Sequence, residues 1–255
     1  MIKRLIGIVS IVVVIILGFI IYSVLKPPAE ASGPITAIPI TVDPNTSTAG
    51  SGGATATPAA SNSSATTAPA ATPSAGSGTV IYQIVPADSS ASFTVGEVLN
   101  GSPNTVVGTS NQVAGQIALD QNNPASAQIG PIQVDARTLV TDNNFRNHAI
   151  ANQILDTNNY EYITFTPKTL SGLPDQITYG TSYTFKISGD LTIKGVTQQV
   201  TFDATVTPVD ATHLKGSATT TVLYKDFGIS IPQVRSVASV DNQVVLKIDF
   251  VATPK

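Results

Sequence analysis

Residues 189–206, GDLTIKGVTQQVTFDATV, alternate apolar and polar side chains on either side of a glycine turn, and that period of two confines them to β structure. Val200, Phe202, Ala204 and Val206 share one parity, while Gln199, Thr201, Asp203 and Thr205 share the other. Successive side chains of a strand point to opposite faces, so one face is apolar and the other wet. Leu191 and Ile193 continue the alternation before Lys194-Gly195, where Gly195 supplies the positive φ that a tight hairpin needs. The functional question is what the apolar face covers: packed side chains, another sheet or a ligand.

The pattern recurs throughout residues 79–255. TVIYQIV, SASFTVGEV, NQVAGQIALD, AQIGPIQV, YEYITFTPKTL, TSYTFKIS, the hairpin, HLKGSATTTVLY and NQVVLKIDFVA follow one another, separated by turn clusters such as QNNPAS and GLPDQ. Eight or nine strands with such links predict an all-β domain, a barrel or a sandwich. One helix is predicted within TDNNFRNHAIANQILDTNN, with Asp142 as its N-cap, Ile150 and Ile154 on one face and Asn158 at its end.

Two segments precede the domain. Lys3 and Arg4 stand before an uncharged run, Leu5–Leu25. As a helix this run is about 31 Å long, close to the thickness of the hydrocarbon core, whereas a signal-peptide core has only about 7–15 residues. Residues 1–26 are therefore expected to form a cytoplasmic start and a single transmembrane anchor. The alternative is cleavage after Ala29-Glu30-Ala31, which has the small-residue pattern of a processing site. Both readings place the domain outside the cytoplasm, because Lys3 and Arg4 hold the N-terminus inside. Residues 27–78 are expected to form a disordered linker, since 45–78 contain only Ala, Gly, Ser, Thr, Pro and Asn and cannot offset their chain entropy by burial. As a coil, about fifty residues span ~40 Å.

Composition removes several function classes. Charged residues make up 11% of the chain and the net charge is −3, which excludes a basic footprint for nucleic acid. The absence of cysteine removes disulfides, thiolate metal sites and cysteine nucleophiles. The two histidines, His148 and His213, form no metal-binding cluster in the sequence. Asp190, Asp203, Asp226 and Asp249 fall at strand ends or on polar parities, and neither a GxSxG elbow nor a glycine-rich phosphate loop is present. Catalysis, metal and cofactor are therefore not expected.

The apolar parities carry more information. Phe93 and Val95, Ile117 and Leu119, Ile163 and Phe165, Phe185 and Ile187, and Phe202 and Ala204 are placed to face one interior. An eight-stranded barrel has an interior that side chains just fill or that holds one small ligand.

FRNHAIANQILDTNNYEYITFTP (145–167), SYTFKISGDLTIKGVTQQVTFDATV (182–206), YKDFGIS (224–230) and the opening YQIVPADSSASFTV together resemble the YceI-like family of polyisoprenoid-binding proteins. The GDLTIxGVT hairpin is the most specific element. The resemblance covers nearly all of residues 80–252 and implies an extended antiparallel lipocalin-like barrel of about eight strands with one short helix. It also implies an apolar channel that holds isoprenoid or similar long-chain lipid in an extracytoplasmic space, carried rather than transformed. Val200 and Phe202 then cover a lipid tail as well as neighbouring side chains, and Arg146, His148 and Lys194 are the candidates for its head group. Two departures stand out: the family often has Arg-Asp before the histidine where this chain has Arg146-Asn147-His148, and Tyr-Pro where it has Tyr160-Glu161.

The resulting expectation is a single-pass cell-membrane protein whose domain, 79–255, binds a long-chain lipid; the alternative is a fully packed interaction module. Its partners are the lipid, the membrane through the N-terminal helix and, as a homodimer, a second copy of the chain. The intact mass of the protein recovered from its host is predicted to retain Met1–Lys26, because the apolar run is of spanning length. A mature N-terminus at Ser32 refutes this.

Overall fold

The computed structural model describes residues 27–40 and 78–255; the expected anchor and most of the expected linker lie outside the described residues. Among the described residues no helix is long and apolar enough to cross a membrane.

The domain is all-β. In chain order the strands are β1 (Thr79–Ile84), β2 (Ser90–Leu99), β3 (Ser102–Ser110), β4 (Val113–Ala114), β5 (Gln116–Asp120), β6 (Gln128–Ile129), β7 (Ile132–Asp135), β8 (Tyr162–Ser171), β9 (Tyr183–Ile193), β10 (Val196–Pro208), β11 (Leu214–Leu223), β12 (Val237–Val240) and β13 (Gln243–Pro254). They form one antiparallel sheet with the path β4-β7-β8-β9-β10-β11-β13-β1-β5-β6. β2 joins β13 alongside β1 and pairs in turn with β3 and β12. Only Gly115 separates β4 from β5, and Gly130-Pro131 separates β6 from β7, so the ends of the path adjoin and the sheet curls into a half-barrel. Hydrogen bonds from the Ile84 amide to the Gly115 carbonyl (3.0 Å) and from the Gly130 amide to the Gln116 carbonyl (2.9 Å) carry the ladder across these breaks.

The hairpin has the geometry its sequence predicts. Ile193 pairs with Val196 across a two-residue loop, and Lys194 (φ 51°) and Gly195 (φ 75°) both take the left-handed conformation of a type I′ turn. Gly195 is also required sterically, because a Cβ there would lie 2.7 Å from the Tyr160 ring. Along β10, Phe202 and Ala204 are buried while Thr201, Asp203 and Thr205 are exposed. The outward aspartates are solvated partners of lysines: Asp190 with Lys168, Asp203 with Lys186 and Asp249 with Lys247.

Several expectations need correction. TSYTFKIS and the first arm of the hairpin form one strand, β9. β3 has almost no sequence signal, because of its inward residues Val106, Gly108 and Ser110 only Val106 is a large apolar one, while Val107 is exposed; the edge of β2 supplies its pairing over nine residues. The helix α1 (Asn144–Ala149) is capped by Asn143, not Asp142: the Asn143 carbonyl oxygen of the side chain accepts from the amides of Phe145 and Arg146. It then widens into a π turn, Ile150–Ile154, and stops short of Asn158.

The beginning of the expected linker also differs. Residues 27–40 form a strap on the outer face of the sheet. Gln112, Ala114 and Gln116 share one outward parity, opposite to the interior Val113. The Gln112 side chain accepts the Ile35 amide (3.3 Å), the Gln116 side chain accepts the Ile40 amide (3.0 Å), and Ile35 and Ala37 bury themselves against the small Ala114. Gly130 leaves room for Ile40, whose Cγ1 lies 2.7 Å from where a Cβ would stand. At the other end Glu161 accepts both the amide and the hydroxyl of Ser32 (2.9 Å each), and Arg137 donates to Glu161, to the Ser32 hydroxyl and to the Glu30 carbonyl. The segment PITAIPI carries isoleucines that the later Ala/Ser/Thr stretch lacks, which gives it apolar surface to bury.

Burial alone would raise the Glu161 carboxyl, but the two Ser32 donors and the Arg137 charge outweigh it and hold it below the ordinary range. A depressed folded pKa adds stability above the unfolded value, near 4.3, and that stability is lost as pH falls through the depressed value. Hydrogen exchange at the Ser32 amide is therefore predicted to be slow at neutral pH and to accelerate relative to the β10 amides on acidification below about pH 4. Glu161→Ala should produce the same loss of protection at neutral pH. Unchanged protection in that variant refutes the bracket.

Candidate functional site

The inward parities line two neighbouring voids. The larger has a volume of about 420 Å³, within the range of ligand pockets, and is walled by β2, the helical segment and the loop after β11. Phe93, Val95, Glu97 and Leu99 reach it from alternate positions of β2, Ile150, Ile154 and Leu155 from the helical segment, and Ile229, Ile231 and Val234 from the loop. The smaller, about 100 Å³, lies among Ile84, Ile117, Leu119, Ile177, Phe185, Ile187 and Phe250. Ile132, Phe165, Phe202 and Ile248 line both. The Phe165 and Phe202 rings meet at this waist with centroids 4.8 Å apart and planes tilted by 58°, a favourable aromatic arrangement.

The larger void has a charged corner at Glu97 and Arg146. Glu97 is buried, and its Oε1 accepts from Arg146 Nη2 (2.9 Å) and from the Asn104 side-chain amide (2.8 Å). The other guanidinium nitrogen of Arg146 bonds Asp142. A carboxylate taken from water costs several kcal/mol unless a cation and hydrogen bonds replace its hydration, and Arg146 with Asn104 does so here. The result is a charge-compensated set of donors and acceptors, with the arginine already held by two carboxylates.

The small end of the interior is closed by a polar network. The Tyr82 hydroxyl donates to the Ala211 carbonyl (2.8 Å) and accepts from the Gln121 amide (3.2 Å), and the Tyr179 hydroxyl bonds Gln121. Burial pushes the Tyr82 phenol up, since its ionised form has no water to solvate it.

Of the residues named from sequence, Phe93, Val95 and Arg146 line the larger void; Ile117, Leu119, Phe185 and Ile187 line the smaller; Phe165 and Phe202 stand between them. Val200 packs against the Phe202 cluster without lining either void. His148 is exposed on α1, and Lys194 sits in the hairpin turn; neither is in the lining. Glu97 was not anticipated, although its signal is present: it follows Phe93 and Val95 on the same inward parity of β2. Asn147 accepts from the Thr141 amide and hydroxyl (2.7 Å each) and also donates to the Thr141 carbonyl (3.5 Å), which a carboxylate cannot do.

Among the described residues no group of three histidine, cysteine or acidic side chains is placed to hold a metal ion. Residues 82–252 match the family model described as YceI-like domain. No curated protein matches the chain. Two solved structures are similar. Burkholderia cenocepacia BcnA has a TM-score of 0.54 at 20% identity, over 67% of this chain and 99% of that one. A polyisoprenoid binding domain from Saccharophagus degradans has a TM-score of 0.53 at 13% identity, over 69% of this chain and 99% of that one. At these identities the likeness is one of fold.

Phe202→Ala is predicted to destabilise the domain by about 3 kcal/mol, at the low end for a buried phenylalanine, because voids on both sides already deny the ring part of its contacts. It should also merge the two voids. Thr201→Ala removes only an exposed hydrogen bond to Ser188 and should cost under ~1 kcal/mol. Chemical denaturation of both variants tests this, and equal losses refute the assignment.

Proposed function

This chain belongs to the YceI-like family, and from that premise we propose that its half-barrel binds a long-chain isoprenoid or similar amphiphilic lipid as a carrier rather than as an enzyme. The observation that carries the proposal is the pair of apolar voids meeting at Phe165 and Phe202, with the Glu97–Arg146 pair at one corner of the larger one. The polyisoprenoid-binding description of the Saccharophagus domain, which shares the fold, supports it. The tail runs from the larger void past the waist toward the smaller, which completes a lipocalin-like channel. Ten methylenes leaving water contribute about 8 kcal/mol gross at ~0.8 each, and ordering of the chain offsets a large share.

The head group rests at the charged corner. Because Glu97 and Asp142 already neutralise Arg146, the corner offers hydrogen bonds rather than an uncompensated positive charge. The apolar run Leu5–Leu25 anchors the protein in the cell membrane, with the domain outside the cytoplasm.

Residues 27–255, purified without detergent and analysed by native mass spectrometry, should carry a bound mass of several hundred daltons, or acquire one on addition of a long-chain prenol. Solvent extraction then identifies it. A chain that stays at its apo mass with prenol in excess refutes lipid binding and favours the packed interaction module.

A further inference from the structure

We infer that the strap turns the open, helix-bearing end of the half-barrel toward the membrane, so that Phe145 and its neighbours enter the bilayer surface and the lipid passes directly between membrane and cavity. The inference rests on the proposed membrane anchor and adds an orientation to it.

The strap sets the path of the chain. Its first fixed residues, Glu30 and Ser32, are held by Arg137 and Glu161. From there it runs to Gln112 and then to Gln116, away from that bracket. Glu161 precedes β8 and adjoins Tyr160, whose ring covers the β9–β10 turn at Gly195. Arg137 also donates to the carbonyls of Thr157 and Asn158, just after the π turn that walls the larger void. The chain thus reaches the domain at the end where the larger void, the helical segment and the β9–β10 turn lie. The opposite end is the one closed by Tyr82, Gln121 and Tyr179.

Distance makes the orientation strict. From Leu25, the last residue of the apolar run, to Glu30 there are five residue steps, which span at most about 18 Å. A free coil of about fifty residues would allow ~40 Å and every orientation. With the strap docked, residues 41–77 lie between two points of the same domain and no longer set its distance from the membrane.

The rim at this end suits a bilayer surface. Phe145 is 89% exposed and Val234 is 56% exposed, yet both also line the larger void. A phenylalanine left in water at the lip of a cavity is an apolar surface without a partner in the chain. The bilayer is the occupant to which the preceding apolar run brings it. Glu161 supplies the carboxylate that fastens the strap.

The chain contains no tryptophan, so a single introduced one reports its own surroundings. The full chain carrying Phe145→Trp, or Val209→Trp at the far end of β10, is reconstituted into vesicles of equal parts phosphatidylcholine and phosphatidylglycerol. One set of vesicles has phosphatidylcholine brominated on the acyl chain near the head group. The Phe145→Trp variant should emit at shorter wavelength in vesicles and lose most of its emission to bromine, while the Val209→Trp variant should keep nearly all of its emission. Equal quenching of the two in protein that stays with the vesicles through a carbonate wash overturns the orientation alone. Release of the full chain by carbonate overturns the anchor, and the orientation with it.

Discussion

Backbone hydrogen bonds run from β4 round to β6 through antiparallel neighbours, and the inward side chains hang from that continuous ladder. A backbone amide or carbonyl left unpaired in an apolar interior costs as much as a lost hydrogen bond, so the ladder has to be complete wherever the sheet faces inward. Once it is complete, the interior need not be filled to hold the fold. The cluster around Tyr82, Ile84, Val113 and Leu214 and the cluster around Phe165, Leu191, Phe202 and Phe227 pack two regions of the curl, and the voids lie between and beyond them. A bundle of helices, which depends on side-chain interlocking for its tertiary contacts, could not leave such space at comparable cost.

Electrostatics holds the remaining wall. The helical segment covers the larger void, and α1 itself is only six residues long, too short to be stable on its own propensity. The Asn143 cap and the Arg146–Glu97 pair fasten α1 to β2. The widening to a π turn at Ile150 brings Ile150 and Ile154 onto the lining side. The same pair serves the interior: a lone carboxylate there would be costly, and a compensated one provides a polar point in an apolar space.

The fold was largely legible because a period of two is a local property. Phe93, Val95, Phe165, Phe185 and Phe202 face the interior as their parity requires. The polar strand β3 was not legible, since its pairing comes from the β2 edge and not from its own side chains. Parity also could not separate Val200, which packs against neighbours, from Phe202, which lines both voids, because the two share a face of one strand. Glu97 carried a signal, a charge on an inward parity, but its meaning depended on an arginine 49 residues away.

The sequence by itself determined which residues alternate, where the β9–β10 turn must fall and that no cysteine chemistry is available, because each depends on the side chain and its immediate neighbours. Tertiary structure alone decided that Arg146 meets Glu97, that Phe165 and Phe202 divide the interior and that Glu161 holds Ser32, 129 positions earlier in the chain. Those contacts join residues remote along the chain, and the curl of the sheet is what brings them within hydrogen-bonding or van der Waals reach.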